Sequence, residues 1–329
     1  MFLIIAYKIL LYYNYTEDIL NNYEYNKTEK YDLIPYLKYI EYAKEGISLN
    51  KIKYNNTNLP KISIVISLYN REQYIKSTIR SIQNQNLSDI EIIIIDDLST
   101  DNSSKYVKEY QKDDPRIILL ENKDNMGTLY SKSIGVLYSK GEYIQSLDSD
   151  DMLCNKKYLS LAYDEAIKGN YDFISSKALY IKETKKEISV KYSFWVVLWS
   201  KLIKKEIYLK SIYNVGIKVL KMKVKTLDDD IIALSMFIGK KSKKINIIGA
   251  AHFIHESEHI YFNAFMNKPN AIKFCTNLLN TIKAFYEFDN PSSFGYGKFL
   301  FDNHFLKGPC QSVVDKGEIL KLNKTKRKI

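Results

Sequence analysis

The segment ISIVISLYN occupies residues 62–70, and the segment IIIIDDLSTDNS follows it at residues 92–103. Each contains a short apolar run rich in β-branched residues, which is typical of a strand buried on both faces of a parallel sheet. Between them, apolar residues at helical spacing predict a helix over residues 71–85. A strand, a helix and a second strand in this order favour a right-handed βαβ unit.

The same alternation of strands and helices continues to residue 151. Further helices are predicted over residues 100–110 and 126–138, and further strands over residues 117–120 and 143–147. This order predicts an α/β fold with a Rossmann-like, mostly parallel sheet flanked by helices. No G-x-G-x-x-G motif follows a strand and no P-loop motif occurs, which excludes both common nucleotide fingerprints.

Polar residues follow all four predicted strands, where ligands bind in sheets of this kind. The most acidic of these strand ends is Asp148-Ser149-Asp150-Asp151. Carboxylate oxygens in such a cluster suit Mg²⁺ or Mn²⁺. An alternative is that Asp151 caps a helix that begins near Asn155, and this alternative leaves Asp148 and Asp150 free to bind a metal ion.

Composition and charge exclude several classes of protein. The 329 residues are 46% hydrophobic and carry a net charge of +11. The three cysteines are widely spaced, which excludes a disulfide framework and a four-cysteine zinc site. No apolar run approaches the roughly 20 residues of a membrane-spanning helix, so a multi-pass protein is excluded. Lysine is enriched together with Asn, Ile and Tyr, so the positive charge alone does not indicate nucleic-acid binding.

The two ends of the chain differ from its centre. Residues 1–60 are interpreted as an N-terminal lead-in, in which the apolar residues 1–13 are either a packed helix or a short, weak membrane anchor. The expected location is therefore cytoplasmic or membrane-associated. Residues 261–329 are predicted to be a helical C-terminal extension with a basic tail.

Residues 62–151 resemble the nucleotide-binding half of a family 2 glycosyltransferase with the GT-A fold. The resemblance is carried by four segments: ISIVISLYN (62–70), IIIIDDLSTDNS (92–103), NMGTLYSKSIGVLYSKGEYI (125–144) and LDSDD (147–151). It implies a GT-A domain over residues 61–260, with a nucleotide-binding half (61–151) and a mixed acceptor half (152–260).

The resemblance also implies which residues bind the donor. The nucleotide site would consist of Ser67, Tyr69, Asn70, Asp96, Asp97, Gly127, Lys132 and Asp148. Within this set, Asp97 would accept a hydrogen bond from the uracil imide, with Asp96 as the alternative. Asp150 would ligate Mn²⁺ or Mg²⁺, with Asp148 beside the ion. The chain departs from the family pattern at Ser67, where proline is usual, and at Lys132, where arginine is usual.

The acidic triplet Asp228-Asp229-Asp230 precedes an apolar segment that is predicted to be helical. Carboxylates are favoured in the first turn of a helix by its macrodipole, which alone would explain the triplet. The resemblance implies a further role, because the family has an acidic pair at a helix start whose second member is the catalytic base. Asp229 matches that member, with Asp228 as its partner and Asp230 as the main rival.

Two aromatic groups in the acceptor half leave alternatives open. Trp195 and Trp199 either stack on a sugar ring or fill the core.

In the segment HFIHESEH, the histidine spacing resembles a zinc site, but residues 250–254 are predicted to form a strand, which argues against such a site. The resemblance implies instead that His255 approaches the metal or the diphosphate.

The resemblance implies inverting transfer of a hexosyl or N-acetylhexosaminyl group from a nucleoside-diphosphate sugar, with UDP as the favoured nucleotide. The acceptor would be a glycan, a lipid or a protein, and peripheral membrane association is compatible with this activity. One alternative is a catalytically degenerate nucleotide-sugar-binding protein. The other is a basic nucleic-acid-binding protein, which the absence of a nucleic-acid motif disfavours.

Overall fold

The structure is a computed structural model that describes residues 47–49, 59–182, 187–192, 198–222, 232–233 and 240–254. The acidic triplet 228–230, Trp195, His255 and the C-terminal extension lie outside these residues, as does the lead-in before residue 47. The described strands are β1 (Ile47–Leu49), β2 (Ile62–Leu68), β3 (Ile90–Asp96), β4 (Ile117–Asn122), β5 (Tyr143–Asp148), β6 (Met152–Leu153), β7 (Phe173–Lys182), β8 (Glu187–Tyr192), β9 (Lys201–Lys204) and β10 (Ser242–Ile254). The described helices are α1 (Ile75–Gln83), α2 (Ser103–Asp113), α3 (Thr128–Tyr138), α4 (Tyr158–Gly169), α5 (Lys205–Val215) and α6 (Ile217–Leu220).

A single sheet contains these strands in the order β1-β4-β3-β2-β5-β9-β7-β10-β6, with β8 beside β7. Strands β4, β3, β2 and β5 are all parallel to their neighbours within this group. Strand β9 then pairs antiparallel with both β5 and β7, while β10 is parallel to β7. The predicted fold, a parallel first half followed by a mixed second half, is confirmed.

Helices cover both faces of the parallel half, which is why β2 and β3 are mostly apolar and buried along almost their whole length. On one face, α1 packs through Ile75, Ile79 and Ile82 against the core formed by alternate residues of β2 and β3. On the other face, α3 lies so close that a Cβ added at Gly135 would be 2.4 Å from the Cγ1 of Val65. The registers place Ser67 opposite Asp148 and Leu68 opposite Asp96, so the carboxyl ends of these strands meet at one edge.

The structure differs from the predicted elements at three places, one of which is the helix predicted over residues 100–110, which spans Ser103–Asp113. The predicted helix over residues 71–85 begins only at Ile75. Residues 72–74 form a turn, in which the amides of Tyr74 and Ile75 both donate to the carbonyl of Arg71. Within the predicted lead-in, β1 pairs antiparallel with β4 and extends the sheet. Among the helices that the structure describes, none combines the length and apolarity needed to cross a bilayer.

Candidate nucleotide and metal site

The candidate site is built from the loops that follow β2, β3, β4 and β5. Three of these loops turn through residues with positive φ: Asn70 (51°), Leu98 (67°) and Gly127 (88°). Positive φ is costly for residues with a Cβ and persists where the surroundings enforce it, often at functional sites. The sharp turns keep these loops at the edge of the sheet, beside the acidic turn at the end of β5, which consists of residues 148–151.

Asn70 joins the loop after β2 to the loop after β3. Its amide N–H donates to the hydroxyl of Ser99 at 3.0 Å, and its Oδ1 accepts from the amide of Thr100 at 2.8 Å. The preceding residue, Tyr69, is half-exposed. Asn70 therefore joins the two loops through its backbone N–H and its side-chain oxygen, while Tyr69 has an accessible aromatic ring.

Asp97 organises the loop after β4. Its Oδ1 accepts from the amide of Met126 at 2.7 Å and from Nδ2 of Asn122 at 2.8 Å, and its Oδ2 accepts from the amide of Gly127 at 2.8 Å. The side chain is almost completely buried. A carboxylate that accepts several N–H bonds is a strong anchor, so Asp97 fixes the position of Gly127 and of the start of α3.

An Asp97→Asn variant is expected to be destabilised by about 1.5–3 kcal/mol, the usual contribution of a hydrogen bond to a charged group. The amide can supply one acceptor oxygen, and its NH₂ group would then face the backbone N–H of Gly127 or of Met126. Urea denaturation would measure the loss. The exposed Asp113, which ends α2, is the matched control: Asp113→Asn should change stability little, and an equal loss in both variants would contradict the anchoring role.

Asp96, the alternative residue predicted to bind the uracil base, already accepts a hydrogen bond in the turn after β3. Its Oδ1 accepts from the amide of Ser99 at 3.1 Å. Burial raises the pKa of Asp96, an effect that its bonds from Ser99 only partly oppose. The two neighbouring acids thus stabilise different loops. Asp96 stabilises the turn after β3, and Asp97 stabilises the loop that follows β4.

The acidic turn after β5 contains two carboxylates that are each paired with a cation. The Nζ of Lys132 lies 3.0 Å from Asp148 Oδ1, and the Nε of Arg71 donates to Asp150 Oδ2 at 2.9 Å. Burial acts to raise the pKa of Asp148, but the nearby positive charges, chiefly the ammonium of Lys132 with His252 and Arg71, together outweigh burial and lower the pKa. The turn is held from behind by Thr78, whose hydroxyl donates to the carbonyl of Ser149 at 2.9 Å.

Asp151 faces away from these cations and is completely buried. Its carboxylate lies 3.0 Å from His252 Nδ1 and accepts from the amide of Phe253 at 3.2 Å. Burial raises its pKa to about 7, against the opposing effect of His252. The alternative in which Asp151 caps the next helix is wrong, since α4 begins at Tyr158 and the carboxylate of Asp151 bonds to His252 and Phe253 instead.

Trp199 packs against the same histidine. Its ring stacks on that of His252 with centroids 5.0 Å apart and an interplanar angle of 20°, and Tyr180 meets both rings edge-on. Trp199 is 5% exposed. This burial favours the core interpretation of Trp199 over sugar stacking.

The sequence reasoning missed two residues of the site, Arg71 and His252. The signal for Arg71 was its position directly after the loop residue Asn70, at the end of a strand. The signal for His252 was its place in a predicted strand, which separates it from the histidines that follow. His255, the histidine that the resemblance favoured, lies outside the described residues.

The acidic turn fits a hard divalent cation that is bound together with a phosphate ligand. Such ions are commonly held by one or two carboxylates, with substrate phosphates and water completing the shell. Asp148 and Asp150 supply two carboxylates of the right chemistry. Within the part of the chain that the structure describes, no group of three or more His, Cys, Asp or Glu side chains gathers closely enough to hold a metal ion unaided.

Comparison with known proteins identifies the family. Residues 63–225, about half of the chain, match the model described as glycosyl transferase family 2. An uncharacterized glycosyltransferase of Haemophilus influenzae is 36% identical over 131 residues, which are 38% of this chain and 52% of that protein. The GalNAc(5)-diNAcBac-PP-undecaprenol beta-1,3-glucosyltransferase of Campylobacter jejuni is 36% identical over 126 residues, which are 38% of this chain and 40% of that protein. The match thus spans about half or less of the length of these relatives.

Solved structures share the fold. TarS 1–349 of S. aureus in complex with UDP has a TM-score of 0.51 and 15% identity, with 76% of this chain and 72% of that chain covered. The mannosyltransferase PcManGT of Pyrobaculum calidifontis, in complex with GDP-Man and Mn²⁺, has a TM-score of 0.50 and 13% identity, with 89% and 83% covered. At these identities the likeness establishes the fold alone. Through residues 63–225, the chain belongs to glycosyltransferase family 2, and its fold is GT-A.

Proposed function

We propose that the protein transfers a sugar from a nucleoside-diphosphate sugar, with UDP as the nucleotide, to an acceptor hydroxyl with inversion. The observation that carries this proposal is the convergence of Asp97, Lys132, Asp148 and Asp150 at one edge of the parallel sheet. Membership of family 2 and the UDP bound to the structurally similar TarS support it.

The nucleotide would lie across the loops that follow β2, β3 and β4. Tyr69 would contact the base through its exposed ring, and Asp97 would accept from the uracil imide with the lone pair that its three loop contacts leave over. Gly127 would let the backbone approach the base. Lys132, held by Asp148, would place a positive charge near the ribose and the diphosphate.

Asp150, with Asp148 beside it, would hold Mn²⁺ or Mg²⁺. When bound, such an ion stabilises the negative charge that develops on the departing diphosphate. His255 is retained as a candidate third ligand on the resemblance alone.

Asp229 would take the proton from the acceptor hydroxyl as its oxygen attacks the anomeric carbon from the face opposite the diphosphate. An ordinary carboxyl group has a pKa near 4, so Asp229 would be ionised and able to accept a proton at neutral pH. Asp228 would be its partner, and Asp230 is the rival for the role.

We infer a hexosyl or N-acetylhexosaminyl donor and a glycan, lipid or protein acceptor. The Campylobacter jejuni relative is named for an undecaprenol-diphosphate-linked glycan acceptor, which makes a lipid-linked acceptor and peripheral membrane association worth testing. The divisions at residues 60, 151 and 260 are likewise our proposal for the domain organisation, with β1 as the part of the lead-in that joins the sheet of the GT-A domain.

Calorimetric titration with UDP, GDP and CDP, in Mn²⁺ and then in EDTA, tests the proposal. We expect UDP-selective binding that requires the metal ion, followed by hydrolysis or transfer when UDP-sugars are supplied. Absence of nucleotide binding with any metal would overturn the proposed function while leaving the fold intact.

A second candidate is a nucleotide-sugar-binding protein without catalysis. The observation that favours it is that both candidate metal-binding carboxylates are ion-paired with Arg71 and Lys132. Such a protein would bind UDP but show neither transfer nor hydrolysis of any UDP-sugar.

A further inference from the structure

The two side chains of the ion pair between Arg71 and Asp150 differ in their exposure to solvent. The side chain of Asp150 is 6% exposed, whereas that of Arg71 is 38% exposed. A carboxylate buried to this degree requires a compensating charge, because its desolvation is otherwise costly. The guanidinium supplies that charge from the more exposed side of the pair.

Arg71 also stands between the two halves of the proposed donor site. It directly follows Asn70, the loop residue after β2, and its Nη1 donates to the carbonyl of Asn70 at 3.3 Å. Its Nε contact reaches across to the turn after β5. The planar donors of arginine match a phosphate as well as a carboxylate.

The other ion pair of the turn differs in this respect. Lys132 is 6% exposed while its partner Asp148 is 30% exposed, so here the cation is the enclosed member. The ammonium of Lys132 is therefore held in place. Of these two cations, only Arg71 has the exposure that a change of partner requires.

We propose that Arg71 exchanges partners during donor binding: it neutralises Asp150 in the free protein, and it binds the diphosphate when Asp150 instead ligates a divalent cation. This inference rests on the proposed function and adds a residue to the donor site. Arg71 therefore competes with the metal ion for Asp150 in the free protein, and it binds the nucleotide once the metal ion is bound.

The exchange predicts opposite effects for the Arg71→Ala variant in two binding measurements. Without nucleotide, Mn²⁺ affinity, measured by the electron paramagnetic resonance signal of free Mn²⁺, should rise by about fivefold, the upper range for a solvent-screened ion pair. In saturating Mn²⁺, calorimetric UDP affinity should fall by about tenfold, close to the lower end of the usual loss for a hydrogen bond to a charged group.

Two further variants separate competition from a general loss of structure. Arg71→Lys keeps the charge but loses the planar donors, so Mn²⁺ affinity should stay near the wild-type value while UDP affinity falls. Arg80→Ala is the matched control, since Arg80 is an exposed arginine of α1 whose guanidinium lies 5.9 Å from the ring centroid of Tyr110. It should leave both affinities unchanged.

The outcomes distinguish the two proposals. If Arg71→Ala weakens Mn²⁺ and UDP binding together, or leaves Mn²⁺ affinity unchanged, Arg71 does not exchange partners and this inference is wrong, although the proposed function stands. If the wild-type protein binds neither Mn²⁺ nor UDP, the proposed function itself fails, and the exchange fails with it.

Discussion

An Asp229→Asn variant is expected to lose sugar transfer by about 10²- to 10⁴-fold, the usual contribution of a positioned general base. The amide is nearly the same size as the carboxylate but cannot accept the proton of the acceptor hydroxyl. Binding of UDP should change little, because the proposed nucleotide contacts come from the loops after β2, β3 and β4. Release of UDP in the presence of acceptor measures transfer, and calorimetry measures binding.

Asp228→Asn and Asp230→Asn are the matched controls for this experiment, because all three changes remove one charge from the same acidic triplet. If the macrodipole of the following helix alone explains the triplet, the three variants should behave alike. A loss of transfer that is large only in Asp230→Asn would move the base to that residue. Full activity of Asp229→Asn would contradict the assignment of the base.

The parallel half of the fold could be predicted because its signals are local. In β2 and β3, runs of β-branched residues mark strands buried on both faces, and the helices between them follow a simple period. The mixed half offers weaker local signals. Strand β9 has only four residues, Lys201–Lys204. Its antiparallel pairing with both β5 and β7 depends on strands that are far from it in sequence, so no local pattern predicts it. The pairing of β1 with β4 likewise joins residues that are far apart in sequence, so local patterns do not predict it.

The position of the candidate site was predictable for the same reason. Strand ends in a parallel sheet share an edge, so the acids after β3 and β5 were expected to approach each other. Their roles in binding and catalysis stay predictions. The partners of these acids could not be predicted, since Asp151 pairs with His252, which lies 101 residues away, and Asp150 pairs with Arg71, which lies 79 residues away.

The Asp150→Ala variant is expected to lose Mn²⁺-dependent UDP binding. Removing even a supporting contact of a metal ligand typically costs about 10–100-fold in metal affinity, so loss of the ligand itself should exceed that range. Mn²⁺ titration followed by electron paramagnetic resonance, and calorimetry with UDP in Mn²⁺, would measure the two effects. Asp164→Ala is the control, because Asp164 is an exposed acid on α4 that lies outside the acidic turn.

The same variant separates the role of Asp150 in binding from a role in stability. Removing one member of an ion pair is most damaging when the remaining charge is buried. Here the remaining charge is the partly exposed Arg71, which water can solvate, so the free energy of unfolding should change little. In EDTA, the weak residual UDP binding should be no weaker than in the wild type, because the guanidinium released from Asp150 is then available to the diphosphate. Unchanged Mn²⁺-dependent binding would remove Asp150 as a ligand, and a large loss of stability would make its pairing with Arg71 a structural contact instead.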